Sequence, residues 1–338
     1  MIRQLLTLAP IGTIPMRFFA LSLLAVMPLS LITHAQTPAK TPTTTAPVSH
    51  VTQVNAAVWQ QGSNLSADRN LTVKIQTLLD RSNANVGAID GQIGANTRKA
   101  IRAFEQIKGL PVDGNMDAQV WQALQTVASA PILMRYTITA DDANQPFLNM
   151  PSDVADKAKM PSMAYASIIE MLGEKFHMHV NYLRALNQKS SFAVGDQITV
   201  VDTGSPAQMT VDHIEASKSN EMLYLYDANQ QLIAAYPATI GSSDTPSPSG
   251  THSIAVIVPD PNYTWSHEGE SYILPAGPNN PVGNVWMGLS KDSYGIHGSP
   301  DPEAISRQSS HGCVRLTNWD ARELMGNVKV GVSVKFVD

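Results

Sequence analysis

The apolar positions of the chain change period along its length. Between residues 65 and 127 they recur at helical spacing. Leu71, Ile75, Leu78 and Leu79 fall on one face of a first helix, and Ala100, Ile101, Phe104 and Ile107 on one face of a second that Asn96 or Thr97 can cap. An internal echo accompanies them: Ile89-Asp90-Gly91 ahead of Ala100-Ile101 returns 23 residues later as Val112-Asp113-Gly114 ahead of Ala123-Leu124. Each half reads as an Asp-Gly turn feeding an amphipathic helix, which is packing and turn chemistry rather than catalysis. Residues 136–201 read as a strand, two helices and a strand. Ser167, Ile168, Leu172 and Phe176 share one helix pattern, Leu183 and Leu186 a second, and Phe192 to Val201 forms a turn into the closing strand. From Met209 onward the pattern is short and alternating. Met222–Tyr226, Gln231–Tyr236 and Thr251–Val258 are its clearest strands, and Thr317 or Asn318 can cap one short helix, Trp319–Met325, before a last strand at Gly331–Val337.

The N-terminus follows neither pattern. Arg17 precedes an apolar run from Phe18 to Ile32 that Pro28 interrupts, and Thr33-His34-Ala35 closes it, so residues 1–35 read as a secretory signal cleaved after Ala35. A spanning helix needs about twenty apolar residues, which places an uncleaved anchor second. The Thr-, Pro- and Ala-rich sequence that follows reads as a flexible linker over residues 36–63. The expected organisation is therefore multidomain: a small all-α domain over 64–128, a small α+β segment over 135–202 and a mostly β domain over 209–338.

Charge narrows the partners. Lys and Arg number 23 against 28 Asp and Glu, a formal charge of −5, which argues against a nucleic-acid partner. Charged residues make up 15% of the chain where about 25% is usual, so the surface must rest on Ser, Thr, Asn and Gln. One cysteine excludes an internal disulfide framework and any Cys-rich zinc or iron–sulfur site. His177 and His179 stand two apart and share no helix face, so they read as solvated polar positions rather than metal ligands. Neither a metal nor a cofactor is expected.

The remaining chemistry gathers near the C-terminus. The sole cysteine lies in Ser309-Ser-His-Gly-Cys-Val-Arg-Leu316, and a second His-Gly pair, His297-Gly298, precedes it by sixteen residues. A thiol with a pKa near 8.5 is mostly protonated at neutral pH and needs a base beside it to act as a nucleophile. Polar neighbours on both sides make burial as a small hydrophobe a poor reading for Cys313. Gly298 and Gly312 permit tight turns that can aim amides at a developing oxyanion, each donor contributing about 3 kcal/mol. Zinc binding by His297, His311 and Cys313 would lack a fourth ligand.

Three families are similar to these stretches. Val86 to Gly114 resembles the three-helix peptidoglycan-binding domain family, which implies a cell-wall targeting module, and residues 64–127 are expected to fold alone and bind peptidoglycan. The middle segment is similar to a LysM module, with a Pro-interrupted stretch from Ala143 to Met163 longer than that family carries. His297-Gly298 followed by Ser310-His-Gly-Cys-Val-Arg-Leu316 resembles the signature of the L,D-transpeptidase catalytic domain. Gly241, Thr245 to Gly250, Pro275 to Gly283 and Tyr294 to Gly298 fall in the order of that family, and His252 stands where an aromatic is usual.

The resemblance implies a β-rich fold and acyl transfer on peptidoglycan tetrapeptide stems in the periplasm or cell wall. By it, Cys313 is the nucleophile and His297 the base, held by a backbone carbonyl such as that of Gly298. Gly312 and Cys313 supply oxyanion N–H groups. His311 acts as an indirect support or as a donor, and Arg315, with Ser310 and Tyr294, meets the substrate or braces the loop. Tyr263, Trp265, Trp286 and Tyr294 line a cleft or pack in the core. The acyl acceptor is an amine from a second stem, a D-amino acid or a lipoprotein. Water in its place would make the chain an L,D-carboxypeptidase or a wall-link hydrolase, and a binding protein without catalysis is a further alternative. A papain-like order is excluded because the cysteine there precedes its histidine.

Overall fold

Helices α1 (His50–Ala56), α2 (Arg69–Asp80), α3 (Ala95–Lys108) and α4 (Ala118–Leu124) open the fold, in a computed structural model that describes residues 49–242, 245–307 and 312–338. The signal, its cleavage point at Ala35, the linker up to residue 48, Ser310 and His311 lie outside the described residues. The linker expected over 36–63 gives way to structure at His50. Ser49 caps α1, Val54 is fully buried, and the Asn55 side chain accepts from the N–H groups of Ile132 and Leu133 at 2.8 and 2.9 Å. The apolar positions of α2 and α3 fall in the core as their period requires. The start of α3 differs from expectation: Gly94 is its N-cap, and the Thr97 hydroxyl accepts instead from Gln76 at 3.2 Å.

The two Asp-Gly turns share one device. Gln76 Oε1 accepts from Gly91 N–H at 2.8 Å, and Glu105 Oε2 accepts from both Asp113 and Gly114 N–H at 2.9 Å. Gly91 and Gly114 take φ of +72° and +76°, where a side chain would also collide with Arg69 and Arg102.

Residues 133–201 follow as β1 (Leu133–Thr137), α5 (Ala140–Ala143), α6 (Val154–Ala158), α7 (Ile168–Lys175), α8 (Val180–Leu186) and β2 (Gln197–Val201), with β1 and β2 antiparallel. The Pro-interrupted stretch is tied to the β domain: Met163 N–H donates to Ala276 O, and Asn279 N–H to Met163 O, both at 2.9 Å. Leu71, Ile75 and Phe104 of the helical region and Leu133, Tyr182 and Ile198 of the middle segment belong to one continuous buried cluster. The core of residues 64–127 is thus continuous with that of the middle segment.

The β domain comprises β3 (His213–Ser217), β4 (Met222–Tyr226), β5 (Leu232–Pro237), β6 (Thr239–Ile240), β7 (Gly250–Pro259), β8 (Tyr263–His267), β9 (Glu270–Leu274), β10 (Val285–Leu289), β11 (Gly295–His297), β12 (Val314–Arg315), α9 (Asn318–Asn327) and β13 (Ser333–Val337). Nine of these strands form one sheet in the order β5-β4-β3-β13-β7-β10-β11-β12-β6, and β8-β9 make a separate hairpin. The long β7 joins the two halves, pairing with β13 through its first residues and with β10 through its last. The free edge of β5 is occupied by residues 83–85, whose backbone exchanges hydrogen bonds with Ala235 at 2.8 and 2.9 Å. The whole is a helical N-terminal region followed by a mostly β domain with a large sheet.

Candidate active site

The site is written into the register of four strands. Trp286 pairs with His297, His297 with Arg315, and Arg315 with Thr239, so one row of side chains crosses β10, β11, β12 and β6. The adjacent row, Met287, Ile296 and Val314, is fully buried in the sheet's core. Successive side chains leave opposite faces of a strand. Trp286, His297 and Arg315 therefore stand on the face away from that core, and so does Cys313, one residue before Val314.

A stripe of glycine clears this face. Gly288 pairs with Gly295, and a methyl group on Gly295 would lie 2.7 Å from the Trp286 ring. The indole thus lies over the glycine and stacks on His297, with centroids 5.7 Å apart and 24° between planes. Gly312, at φ +98°, allows an equally close approach, since a Cβ there would sit 2.8 Å from Tyr294 Cε1.

His297 is buried, and its Nδ1 lies 2.7 Å from Gly298 O. A carbonyl only accepts, so Nδ1 carries the proton and Nε2 keeps its lone pair. Burial drives the imidazole pKa down to about 4, with the Arg315 charge adding and the Gly298 bond opposing. Burial likewise pushes the Cys313 thiol above its ordinary value, against the Gly295 amide and Arg315. Cys313 Sγ lies 3.8 Å from Ser293 O. Arg315 is half-buried, and its Nε has no hydrogen-bond partner among the described residues.

The sequence-derived candidates thus divide. His297, Gly298, Gly312, Cys313, Tyr294 and Arg315 come together on β11, β12 and the turns beside them. Trp286 joins them through its stack on His297, while Tyr263 and Trp265 lie on the β8-β9 hairpin, half-buried. His177 departs from the expected solvated position. It takes φ +52°, stacks on Trp319 at 5.1 Å and pairs with Asp80 at 3.0 Å, because the turn between α7 and α8 is pressed against α9. His179 caps α8 by accepting from Asn181 N–H and contacts Glu303 at 3.1 Å. Among the described residues no group of three His, Cys, Asp or Glu side chains is placed to hold a metal.

Sequence reasoning treated Asn318 only as a possible cap and gave Glu174 no role. Thr317 caps α9, and Asn318, 1% exposed, instead ties the loops behind His297 to Glu174. An Asn one residue inside a predicted N-cap, in a chain whose preceding Thr already caps, was the available signal.

The site thus sets a buried histidine at the end of β11 beside the turn that leads through Cys313 into the parallel strand β12, in a mostly β sheet domain. The model of the "L,D-transpeptidase catalytic domain" matches residues 211–336, and that of the "Putative peptidoglycan binding domain" matches residues 68–124. The chain is 32% identical to "Putative L,D-transpeptidase YkuD" of Bacillus subtilis over 139 residues, covering 40% of this chain and 73% of that protein. It is also 32% identical to the Bacillus licheniformis protein of the same name over 121 residues, covering 36% of this chain and 62% of that one. Among solved structures, the catalytic domain from Enterococcus faecium L,D-transpeptidase aligns at 25% identity and a TM-score of 0.31, over 39% of this chain and all of that one. The chain belongs to the YkuD-type L,D-transpeptidase family.

Proposed function

We propose that the chain is a cysteine L,D-transpeptidase that acts on peptidoglycan tetrapeptide stems outside the cytoplasm. The observation that carries this reading is the fixed tautomer of His297, whose unprotonated Nε2 belongs to the same sheet face as Cys313. His297 takes the thiol proton as Sγ attacks the carbonyl between the third stem residue and the terminal D-Ala. The N–H groups of Gly312 and Cys313 meet the oxyanion. His297 then returns the proton to the departing D-Ala amine, leaving a thioester on Cys313. An amine of a second stem, a D-amino acid or a lipoprotein displaces the sulfur, forming a 3-3 cross-link or an attached stem. The Arg315 Nε, without a partner among the described residues, supports contact with a substrate carboxylate, because a buried N–H left unpaired costs about 1–3 kcal/mol that an anion would recover.

The wider reading follows the segments. Residues 1–35 direct export with cleavage after Ala35, residues 64–128 hold the enzyme to the wall, and residues 209–338 perform catalysis. The antiparallel pair β1 and β2 around α7 and α8 supports the LysM likeness, with α5 and α6 inserted ahead of α7. No helix among the described residues is long and apolar enough to cross a membrane. Loss of a general base typically costs about 10²- to 10⁴-fold. Single-turnover acylation of Cys313 by a stem peptide or a β-lactam, followed by mass, should fall by that factor in His297→Ala and vanish in Cys313→Ala. His311→Ala should cost less. Wild-type acylation in His297→Ala with loss in His311→Ala would reverse the two roles.

A further inference from the structure

The proton-bearing Nδ1 of His297 is held by a backbone carbonyl rather than by a carboxylate, so the position of the ring depends on whatever holds Gly298. Two things do. Gly298 N–H donates to Val285 O at 3.2 Å, and the Asn318 side chain packs directly against the residue. A Cβ on Gly298 would overlap Asn318 Oδ1, and one on Gly283 would overlap the same oxygen and lie 2.6 Å from the Gly298 carbonyl carbon. Both positions are glycine because the Asn318 amide is wedged between the two loops.

The orientation of that amide is set from both ends. Oδ1 accepts from Asn284 N–H at 3.2 Å, and Nδ2 donates to Pro278 O at 3.1 Å and to both Glu174 oxygens at 2.9 and 3.1 Å. Glu174 lies near the end of α7, in the middle segment. It is 8% exposed and also accepts from the Tyr165 hydroxyl at 2.9 Å. Asn318 opens α9, three residues after Arg315. A buried carboxylate from outside the catalytic domain thus reaches within one side chain of the loop that holds the base.

We propose that Glu174 and Asn318 are positioning residues for His297, with Glu174 fixing the Asn318 amide and that amide fixing the Gly298 carbonyl that holds the imidazole. The proposal rests on His297 being the base. It gives the middle segment a part in catalysis that is separate from glycan binding. Burial raises the Glu174 carboxyl to about 7, opposed by the bonds from Asn318 and Tyr165. Arg322 of α9 and Glu170 of the same helix also act on it. The relay is therefore strongest when Glu174 is ionised, and acylation should rise with pH through neutrality.

The test is first-order acylation of Cys313 in the full chain at saturating β-lactam, followed by mass from pH 5 to 8. An Å-scale misplacement of a reacting group costs about 10²-fold, so Asn318→Ala and Glu174→Ala should lower the rate constant by about 10- to 100-fold with little change in the half-saturating concentration. Glu174→Gln keeps an acceptor for Asn318. It should stay within about threefold of wild type at pH 6 and lose the inflection near pH 7. Folded Asn318→Ala and Glu174→Ala proteins with the wild-type rate and pH profile would overturn the proposal. If either fails to fold by near-UV circular dichroism, the Glu174→Gln profile decides: a lost inflection supports the relay, and a retained one overturns it. His297→Ala, run alongside, separates the two readings. An unchanged rate there defeats the base assignment itself, whereas a slow His297→Ala beside unaffected Glu174 and Asn318 variants defeats only the relay.

Discussion

Cysteine enzymes differ in whether the nucleophile rests as a thiolate, and this structure commits to one answer. The perturbation is pH. Burial drives His297 down to about 4 and holds the Cys313 thiol above its ordinary value. An imidazole with a pKa of about 4 is protonated in only about one molecule in 10³ at pH 7, so the resting pair is neutral imidazole and neutral thiol. Burial leaves Cys313 with less thiolate at pH 7 than an exposed thiol holds. The proton must then move as the substrate binds, when the carbonyl displaces water and the oxyanion meets its donors. Alkylation of Cys313 by iodoacetamide reads this directly, because only the thiolate reacts. The rate constant should climb monotonically from pH 5 to beyond pH 9, staying below that of a small free thiol at pH 7. A plateau of thiolate reactivity between pH 5 and 8 would refute the reasoning, since it would require a preformed ion pair in a pocket that disfavours both charges.

Other consequences follow from packing. The Asp320 carboxyl, fully buried, is raised by burial to about 7, so the folded chain keeps a proton that the unfolded chain releases near 4. Stability should fall as pH rises from 5 to 8, and Asp320→Asn should flatten that slope in thermal melts. An unchanged slope would show that the carboxyl does not titrate there. Gly283→Ala, at φ +62° and against Asn318, should cost about 1–3 kcal/mol in denaturant melts and slow acylation; neutrality on both counts would remove the wedge. Residues 64–128 expressed alone should lack cooperative melting while residues 49–202 melt as one unit, because the two share a core; a cooperative transition of the short fragment would contradict this.

The sequence was most informative where a period or a contiguous motif carried the signal. The helix faces at Leu71–Leu79 and Ala100–Ile107, the Asp-Gly echo and the strands around Met222 and Thr251 all follow from local spacing. The parallel pairing of β11 with β12 was not legible, because its register depends on contacts between strands distant in sequence. What escaped was tertiary. His177 reads as a solvated turn residue until α9 is placed beside it, and nothing in Glu174-Lys175 signals a partner 144 residues away. The helix at His50 was hidden because its stability comes from docking Asn55 on β1 rather than from its own seven residues.

The most direct test of the central claim is intact and peptide mass spectrometry of the full chain mixed with a purified disaccharide-tetrapeptide. The account predicts a transient adduct on Cys313 with the mass of the stem less its terminal D-Ala, stoichiometric release of D-Ala, and discharge of the adduct when an amine is added. A tetrapeptide consumed with no adduct on Cys313, or consumed equally by Cys313→Ala, would contradict it.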